Sequence, residues 1–133
     1  MNNKLLKNNF FESNLESTLQ FGDTEVAGGQ SFVTNCIFRN NLRSQVSSSK
    51  KTVTVENCLF ENNISLPGEI CGNGHASNPP SYYKNCIFRN NQADIIIGLG
   101  HSKSLINCLL YNNTTTYGTV YMGTCWSGIN IIN

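Results

Sequence analysis

The chain has 133 residues, a formal net charge of +1 and only 13% charged residues. This weak charge excludes an electrostatic surface for nucleic acid, an anionic membrane or an acidic polymer. The sequence contains no run of 18 apolar residues, so we expect no membrane span in this segment. The length is sufficient for one domain with a continuous core.

A seven-residue motif recurs along the chain. Asn-Cys-Ile-Phe-Arg-Asn-Asn occurs unchanged at 35–41 and 85–91, with close variants at 57–63 and 107–113 and a degraded copy at 8–14. The leading Asn residues are separated by 27, 22, 28 and 22 residues. Self-similarity at this period predicts a solenoid, and the steps are too short for helical-hairpin repeats of about 33 to 47 residues. The Asn, Gly and β-branched content also disfavours helix.

Each copy begins with a predicted strand. The residue two places before the leading Asn is always apolar, and the residue between them is polar in the first four copies. This alternation predicts a strand with one buried face. The apolar residues are Leu6, Val33, Val55, Tyr83, Leu105 and Ile131.

A bend is predicted at the leading Asn. Before the leading Asn, the inward apolar residues lie at even offsets from it, and after it they lie at odd offsets. Such a one-residue shift reverses the two faces of a strand. Asn suits a bend because it tolerates the left-handed conformation and hydrogen-bonds neighbouring backbone. Stacked coils would turn each column into a ladder. The predicted ladders are Asn8, Asn35, Asn57, Asn85 and Asn107 at the bend, with Cys36, Cys58, Cys86 and Cys108, and Phe11, Phe38, Phe60, Phe88 and Leu110, in the core.

Two columns of the second strand should face outward. The first alternates in charge, which predicts in-register coils because opposed charges on neighbouring strands stabilise by roughly 0.2–1 kcal/mol per pair. The second is apolar throughout, so either the long connections cover it or it is an association surface. The charged column is Glu12, Arg39, Glu61, Arg89 and then Tyr111, and the apolar column is Phe10, Ile37, Leu59, Ile87 and Leu109.

The pattern therefore predicts an all-β fold, a parallel β-helix of about five coils of 22–28 residues. We expect residues 1–133 to form a single segment of a longer solenoid. Residues 128–133 repeat the lead-in to a motif, and neither end has the polar cap that solenoids need. The remaining coils of the same solenoid would then be one partner of this segment.

The six cysteines leave two alternatives open. Neighbouring coils would place the column thiols within the Cα range of a disulfide, but a reduced thiol also packs well as a small apolar side chain. Cys71 and Cys125 fall outside the column and are candidates for a loop disulfide or free thiols. No Cys-x-x-Cys pair occurs, and we expect no metal and no cofactor.

The repeat resembles a known superfamily. Residues 53–63 resemble the generic repeat of the right-handed parallel β-helix superfamily, the fold of pectate lyases and of many secreted and surface proteins. The Phe-x-x-Asn tetrapeptide is also similar to that of polymorphic outer membrane protein repeats, whose Gly-Gly-aliphatic motif is matched in part at 28–30 and 117–121. The resemblance implies a right-handed winding and an extracellular or cell-surface location. The tetrapeptides lie at 11–14, 38–41, 60–63 and 88–91.

Candidate catalytic residues are few. Enzymes of this fold carry carboxylates, Arg, Lys or His along a groove, because glycosidic cleavage needs paired acids and lysis needs a base. Asp23 with Glu25 is the nearest approach to a carboxylate pair, and His75 and His101 lie in glycine-rich turns. All four are more typical of solvated loops than of a catalytic site. The acids Glu16, Glu69 and Asp94 are placed in connections.

Repeated use of one motif predicts a non-catalytic structural or adhesive segment of a secreted or cell-surface protein. Its partners would be glycans or a host or cell surface, with no nucleic acid. Residues 114–121 either offer sugars a stacking surface or are ordinary outward strand residues. The alternative function is that of a polysaccharide lyase or glycoside hydrolase. Its site would lie in the long loops at 15–30 and 64–80, or outside this segment.

Overall fold

The computed structural model describes residues 4–16, 18–21, 29–48, 51–72, 81–99, 103–122 and 130–132. All regular structure in these ranges is β-strand, and every strand pairing is parallel. Each coil contributes one strand to each of three sheets, so the predicted all-β solenoid is confirmed. The right-handed winding stays a prediction.

The three sheets follow the coil in order. The first sheet contains the lead-in strands, the second contains the short strands after the bend, and the third contains the strands that follow the motif. The first consists of β1 (Lys4–Lys7), β4 (Gln30–Thr34), β7 (Thr52–Glu56), β10 (Ser81–Lys84), β13 (Lys103–Ile106) and β16 (Asn130–Ile132). The second consists of β2 (Phe10–Glu12), β5 (Ile37–Arg39), β8 (Leu59–Glu61), β11 (Ile87–Arg89) and β14 (Leu109–Tyr111). The third consists of β3 (Leu19–Phe21), β6 (Val46–Ser48), β9 (Ile64–Gly72), β12 (Gln92–Leu99) and β15 (Thr114–Met122).

The second sheet stacks in register on every coil. Phe38 pairs with Phe60, and Phe60 pairs with Phe88. The rings of Phe11, Phe38, Phe60 and Phe88 are stacked, with successive centroids 4.8, 4.7 and 4.5 Å apart. Tyr83 meets the edge of Phe88 at 6.1 Å. This aromatic column forms the centre of the core, and aromatic pairs contribute about 0.5–1.5 kcal/mol each beyond the area they bury.

The chain bends at asparagine residues. The leading Asn of every motif has φ between 51° and 58°, in the left-handed region. The first Asn of the closing pair also has a positive φ in four coils, as at Asn40 and Asn62, and Ser13 takes this place in the first coil. Asn is favoured at such positions because the conformation strains most other side chains. Side-chain amides of the leading Asn are hydrogen-bonded between coils, from Asn35 to Asn8 and from Asn57 to Asn35 at 3.3 Å.

A second and buried amide ladder runs through the last Asn of each motif. Asn63 accepts hydrogen bonds from the backbone N–H and the side chain of Asn41, at 3.0 and 3.2 Å. Its own amide donates to Phe38 O at 2.9 Å and to Asn91 Oδ1 at 3.0 Å. Asn14, Asn41, Asn91 and Asn113 take part in the same pattern. These buried amides hold the corner between the second and third sheets.

The column cysteines are inward-facing thiols. Cys36, Cys58 and Cys86 are buried, while Cys108 is half-buried, and all four are free. Cys71 is also free, but it lies in β9 and is fully buried. Of the two alternatives predicted for Cys71, the free thiol is confirmed and the loop disulfide is wrong, because Cys71 lies in the third sheet beside Val46 and Ile97. Cys125 lies outside the described residues.

The apolar outward column of the second sheet is open to solvent. Phe10 is 52% exposed, Ile87 37% and Leu109 54%, while Ile37 and Leu59 are half-buried. The charged column lies beside it with Arg39 and Arg89 on either side of Glu61. This column is therefore at least partly accessible to solvent along the whole sheet.

Candidate functional site

The third sheet contains one irregular band, at the same height in three neighbouring strands. Residues Leu66, Pro67 and Gly68 of β9 stand opposite the single residue Asp94 of β12, and Thr116 and Tyr117 of β15 stand opposite it on the other side. Pairing is regular immediately before and after this break. We call these residues, together with Gly118, the ridge. Such bulges are over-represented next to functional sites because they redirect side chains out of the sheet.

The sequence explains why β9 breaks there. The Leu66-Pro67 peptide bond is cis, and Gly68 has φ of 136°. Proline cannot donate to a ladder, and glycine adopts this φ without strain. Ser65 closes the loop by donating from Oγ to Glu69 O at 3.0 Å. Gly118, with φ of 126°, plays the corresponding part in β15.

Asp94 joins two strands of the ridge. The Gly68 N–H donates to Asp94 Oδ2 at 3.0 Å, so the carboxylate holds the protruding loop of β9 against β12. No hydrogen bond to the other oxygen, Oδ1, occurs among the described residues. Asp94 is half-buried. It therefore combines a structural contact with one carboxylate oxygen that remains available.

The flanks of the ridge are exposed. Tyr117 is 71% exposed and Leu66 48% exposed. Thr114, Thr116 and Gln92 are also exposed on the same three-strand band. The ridge thus presents an aromatic ring, an aliphatic side chain, a carboxylate, hydroxyl groups and an amide within a few residues of one another.

Glu69 lies beside the ridge and is held close to the sheet. A Cβ atom at either Gly72 or Gly98 would overlap the Glu69 carboxylate. These two glycines therefore give the carboxylate its place against the backbone. Glu69 and Asp94 were expected in connections, and this was wrong, because they belong to β9 and β12.

Cys71 and Tyr83 are two titratable groups of the core. Burial raises the pKa of the Cys71 thiol well above its usual value, and burial likewise raises the pKa of Tyr83. A hydrogen bond between the two side chains adds to the rise at Tyr83 and opposes the rise at Cys71. Both groups are neutral at ordinary pH and inaccessible, so they are suited to packing rather than to proton transfer.

The charged column of the second sheet has partners within the coil stack. Glu61 accepts from Arg39 Nε at 3.1 Å and from Arg89 Nη2 at 2.6 Å. Arg89 Nη1 lies 3.2 Å from the Tyr111 hydroxyl, and Arg39 lies over the Phe10 ring. Hydrogen bonds to Tyr111 and then to Glu61 raise the pKa of Arg89 further. The Glu61 carboxylate is engaged on both sides and cannot serve as a free acid or base.

Four residues were predicted from the sequence as candidates for catalysis. Asp23, Glu25, His75 and His101 all lie outside the described residues. The bend, Cys and Phe ladder residues lie at the bend and in the core. Nowhere in the described ranges do three or more His, Cys, Asp or Glu side chains form a group that could hold a metal ion.

No family model, curated protein or solved structure matches this chain. The side chains of the ridge and their exposure are therefore the basis for its function. In the part of the chain that the structure describes, no helix is long and apolar enough to cross a membrane.

Sequence reasoning missed the ridge as a unit, although signals were present. Pro67-Gly68 and Tyr117-Gly118 interrupt otherwise apolar or β-branched runs, and glycine within a strand pattern indicates a bulge. The two interruptions follow their motifs at nearly the same distance, which places them in one band. Asp94 carries no such signal, because a single acid in a strand looks like any outward residue.

Proposed function

We propose that this chain is a non-catalytic structural and adhesive β-solenoid segment of a secreted or cell-surface protein, and that it contacts neutral glycans through the ridge. The supporting observation is that exposed Tyr117 and Leu66 flank the half-buried Asp94 at a shared break in three strands. Elsewhere in the motif, the bend, ring and charged columns have contacts within the coil stack that explain them without a ligand.

The chemistry of the ridge suits a sugar. The apolar face of a pyranose packs against an aromatic ring, and Tyr117 presents one that is largely free of protein contacts. Sugar hydroxyls need both donors and acceptors. Asp94 Oδ1 accepts, Gln92 offers an amide, and the Thr114 and Thr116 hydroxyls do both. A carboxylate at the centre of the ridge repels uronic acids, so we expect neutral glycans to be preferred.

The surface of the solenoid supports an extracellular role. The chain has 21 Asn residues and few charges, and the described bends expose amides. We further propose that the chain is a right-handed, pectate lyase-like β-helix with repeats of the polymorphic outer membrane protein type. This finer assignment rests on the repeated motif alone. Fold does not decide activity in this superfamily.

Binding to neutral oligosaccharides tests the proposal. We expect cellohexaose or xylohexaose to shift the backbone amide resonances of residues 66–68, 94 and 116–118 in an NMR titration, and oligogalacturonate of equal length to bind more weakly. Tyr117→Ala and Asp94→Asn should each lower the affinity for the neutral sugar. Tyr82→Ala, on the outer face of the first sheet, is the matched control and should leave it unchanged.

Two results would contradict the proposal. Shifts at other positions, or none with either neutral sugar, would remove the ridge as a glycan site. Shortening of an added polysaccharide, followed by size analysis of the products, would favour the rival polysaccharide-active enzyme. Loss of that shortening in Asp23→Asn or Glu25→Gln would assign it to the residues predicted from sequence.

A further inference from the structure

The outer face of the second sheet has two columns with different chemistry. The apolar column and the charged column run side by side along the coils, and the corresponding residues pair in register at every step. The apolar column is exposed, as shown by Phe10, Ile87 and Leu109. An open apolar ladder beside a ladder of alternating charge is the kind of surface that associates with a complementary one.

When two copies of the chain meet through this face, only one orientation of the two-fold axis places each column against the same column of the other copy. A two-fold axis parallel to the solenoid would place the apolar column of one copy on the charged column of the other. A two-fold axis along the strand direction, in the plane of contact, places like column on like column and reverses the order of the coils. The second arrangement buries apolar against apolar, so the remaining question is how the charges meet.

The alternation of sign gives that reversed arrangement a matching register. When the axis passes between the second and third coils, Glu12 faces Arg89 of the second copy, and Arg39 faces Glu61 of the second copy. The two-fold axis repeats both pairs, so all four facing positions join opposite charges. The same axis places Ile37 on Leu59 and Phe10 on Ile87. No like charges oppose one another.

Three of the four charged groups remain accessible for such contacts, whereas Glu61 is only 11% exposed and is already bonded to Arg39 and Arg89. Arg39 and Arg89 use part of their guanidinium donors on Glu61, and their side chains remain 37% and 36% exposed. Glu12 is exposed and, among the described residues, accepts from Asn40 Nδ2 at 3.4 Å. Glu12 of a second copy would therefore meet a partly exposed cation at Arg89.

We propose that the outer face of the second sheet is a self-association surface, on which a second copy of this chain binds with its coils in the opposite order. Four coils spaced about 4.8 Å apart, with strands about 10 Å long, make a small patch. This is well below the roughly 800 Å² per partner of a stable complex. The dimer is accordingly weak and reversible. The proposal is independent of glycan binding, because the ridge lies on the third sheet.

Charge exchange is the sharpest test. In Glu12→Arg homodimers an arginine faces an arginine twice, and in Arg89→Glu homodimers a glutamate faces a glutamate twice. Sedimentation velocity from micromolar to millimolar concentration should show each variant associating at least about tenfold more weakly than the original chain. An equimolar mixture should recover the association, since the heterodimer has opposite charges at all four of these positions. Added salt should weaken the association of the original chain.

A second pair of variants separates association from folding. Both charge changes also alter contacts within a copy, so thermal unfolding must accompany them. Leu59→Thr removes apolar surface at the centre of the contact without changing charge and should weaken association severalfold. Leu5→Thr is the same substitution at an exposed position of the first sheet and should have no effect.

The proposal has clear contrary outcomes. A monomer at every concentration would leave this face to another occupant and overturn the proposal. So would a dimer that the charge variants do not weaken, or one that the mixture fails to restore. If the charge variants do not fold, equal association of Leu59→Thr and Leu5→Thr would overturn it.

Discussion

The second and third sheets are built from successive parts of the same coils, yet they tolerate irregularity very differently. Every strand of the second sheet has three residues and pairs in register with its neighbour. In the third sheet, the segments of β9, β12 and β15 between the same paired residues differ in length by up to two residues. The second sheet carries stacked rings that leave no room for an insertion. The third sheet releases its extra residues outward, where solvent accepts them.

The comparison shows where a solenoid can acquire a function. Each residue of a stacked column contacts the corresponding residues of the coils above and below it. A substitution that introduces a functional side chain there weakens both contacts and lowers stability. The ridge avoids this constraint because its residues leave the ladder. Substitutions in the stacked columns should therefore change the free energy of unfolding more than substitutions in the ridge.

Phe60→Ala should destabilise the protein most. Phe60 is fully buried and stacks on rings of both neighbouring coils, and truncation of such a side chain costs about 3–5 kcal/mol. Chemical denaturation followed by circular dichroism gives the loss. Leu59→Ala, the outward neighbour in β8, is the control and should cost about 1 kcal/mol or less. Equal losses would contradict the central role of the ring column.

Asn63→Ala should have the next largest effect, of about 3 kcal/mol. It leaves the Asn41 backbone N–H and the Phe38 carbonyl without their amide partner inside the protein. The measurement is again equilibrium unfolding. Asn57→Gly is the contrasting variant, because Asn57 is exposed at a bend with φ of 54° that glycine adopts freely. A loss as large in Asn57→Gly would show that the bend, and not the buried ladder, carries the stability.

These two asparagines also show what the sequence could and could not reveal. The fold class was predictable, because fixed offsets in every copy allow only in-register stacking. The sequence singled out the leading Asn, whose bend is visible as a change of phase. It did not single out the buried ladder, because Asn40 and Asn41 are identical in type, and only the backbone path turns the second one inward. The ridge was harder still to predict, since the spacing of the motifs gives the length of an insertion but not whether it protrudes from the sheet.

Gly68→Ala should cost about 1–3 kcal/mol, because a φ of 136° is strained for alanine. The new Cβ would also approach Ser65 Oγ to 3.3 Å, whereas a Cβ at Gly118 meets nothing within 4 Å. Gly118→Ala should therefore cost less than Gly68→Ala in the same unfolding experiment. The reverse order would mean that the loop of β9 is not held by its contacts to Ser65 and Asp94.

Tyr117→Ala should change the free energy of unfolding by no more than about 0.5 kcal/mol, as is typical of an exposed side chain. The same variant is expected to lose glycan affinity, so binding and stability separate at this residue. A large loss of stability would place Tyr117 among the packed residues and would remove the contrast between the two sheets. Thermal unfolding without ligand is sufficient to decide.

In the unsubstituted protein, the thiols of Cys108 and Cys71 should differ in reactivity. A hydrogen bond with Cys86 lowers the pKa of Cys108 to about 7, whereas burial raises that of Cys71. Only the thiolate reacts, so alkylation of the folded protein by iodoacetamide should accelerate at Cys108 between about pH 6 and pH 8 and stay slow at Cys71. Peptide mapping after timed alkylation measures each cysteine separately. Equal rates at Cys108 and Cys71 would show that the end of the thiol column is as closed as the core of the third sheet.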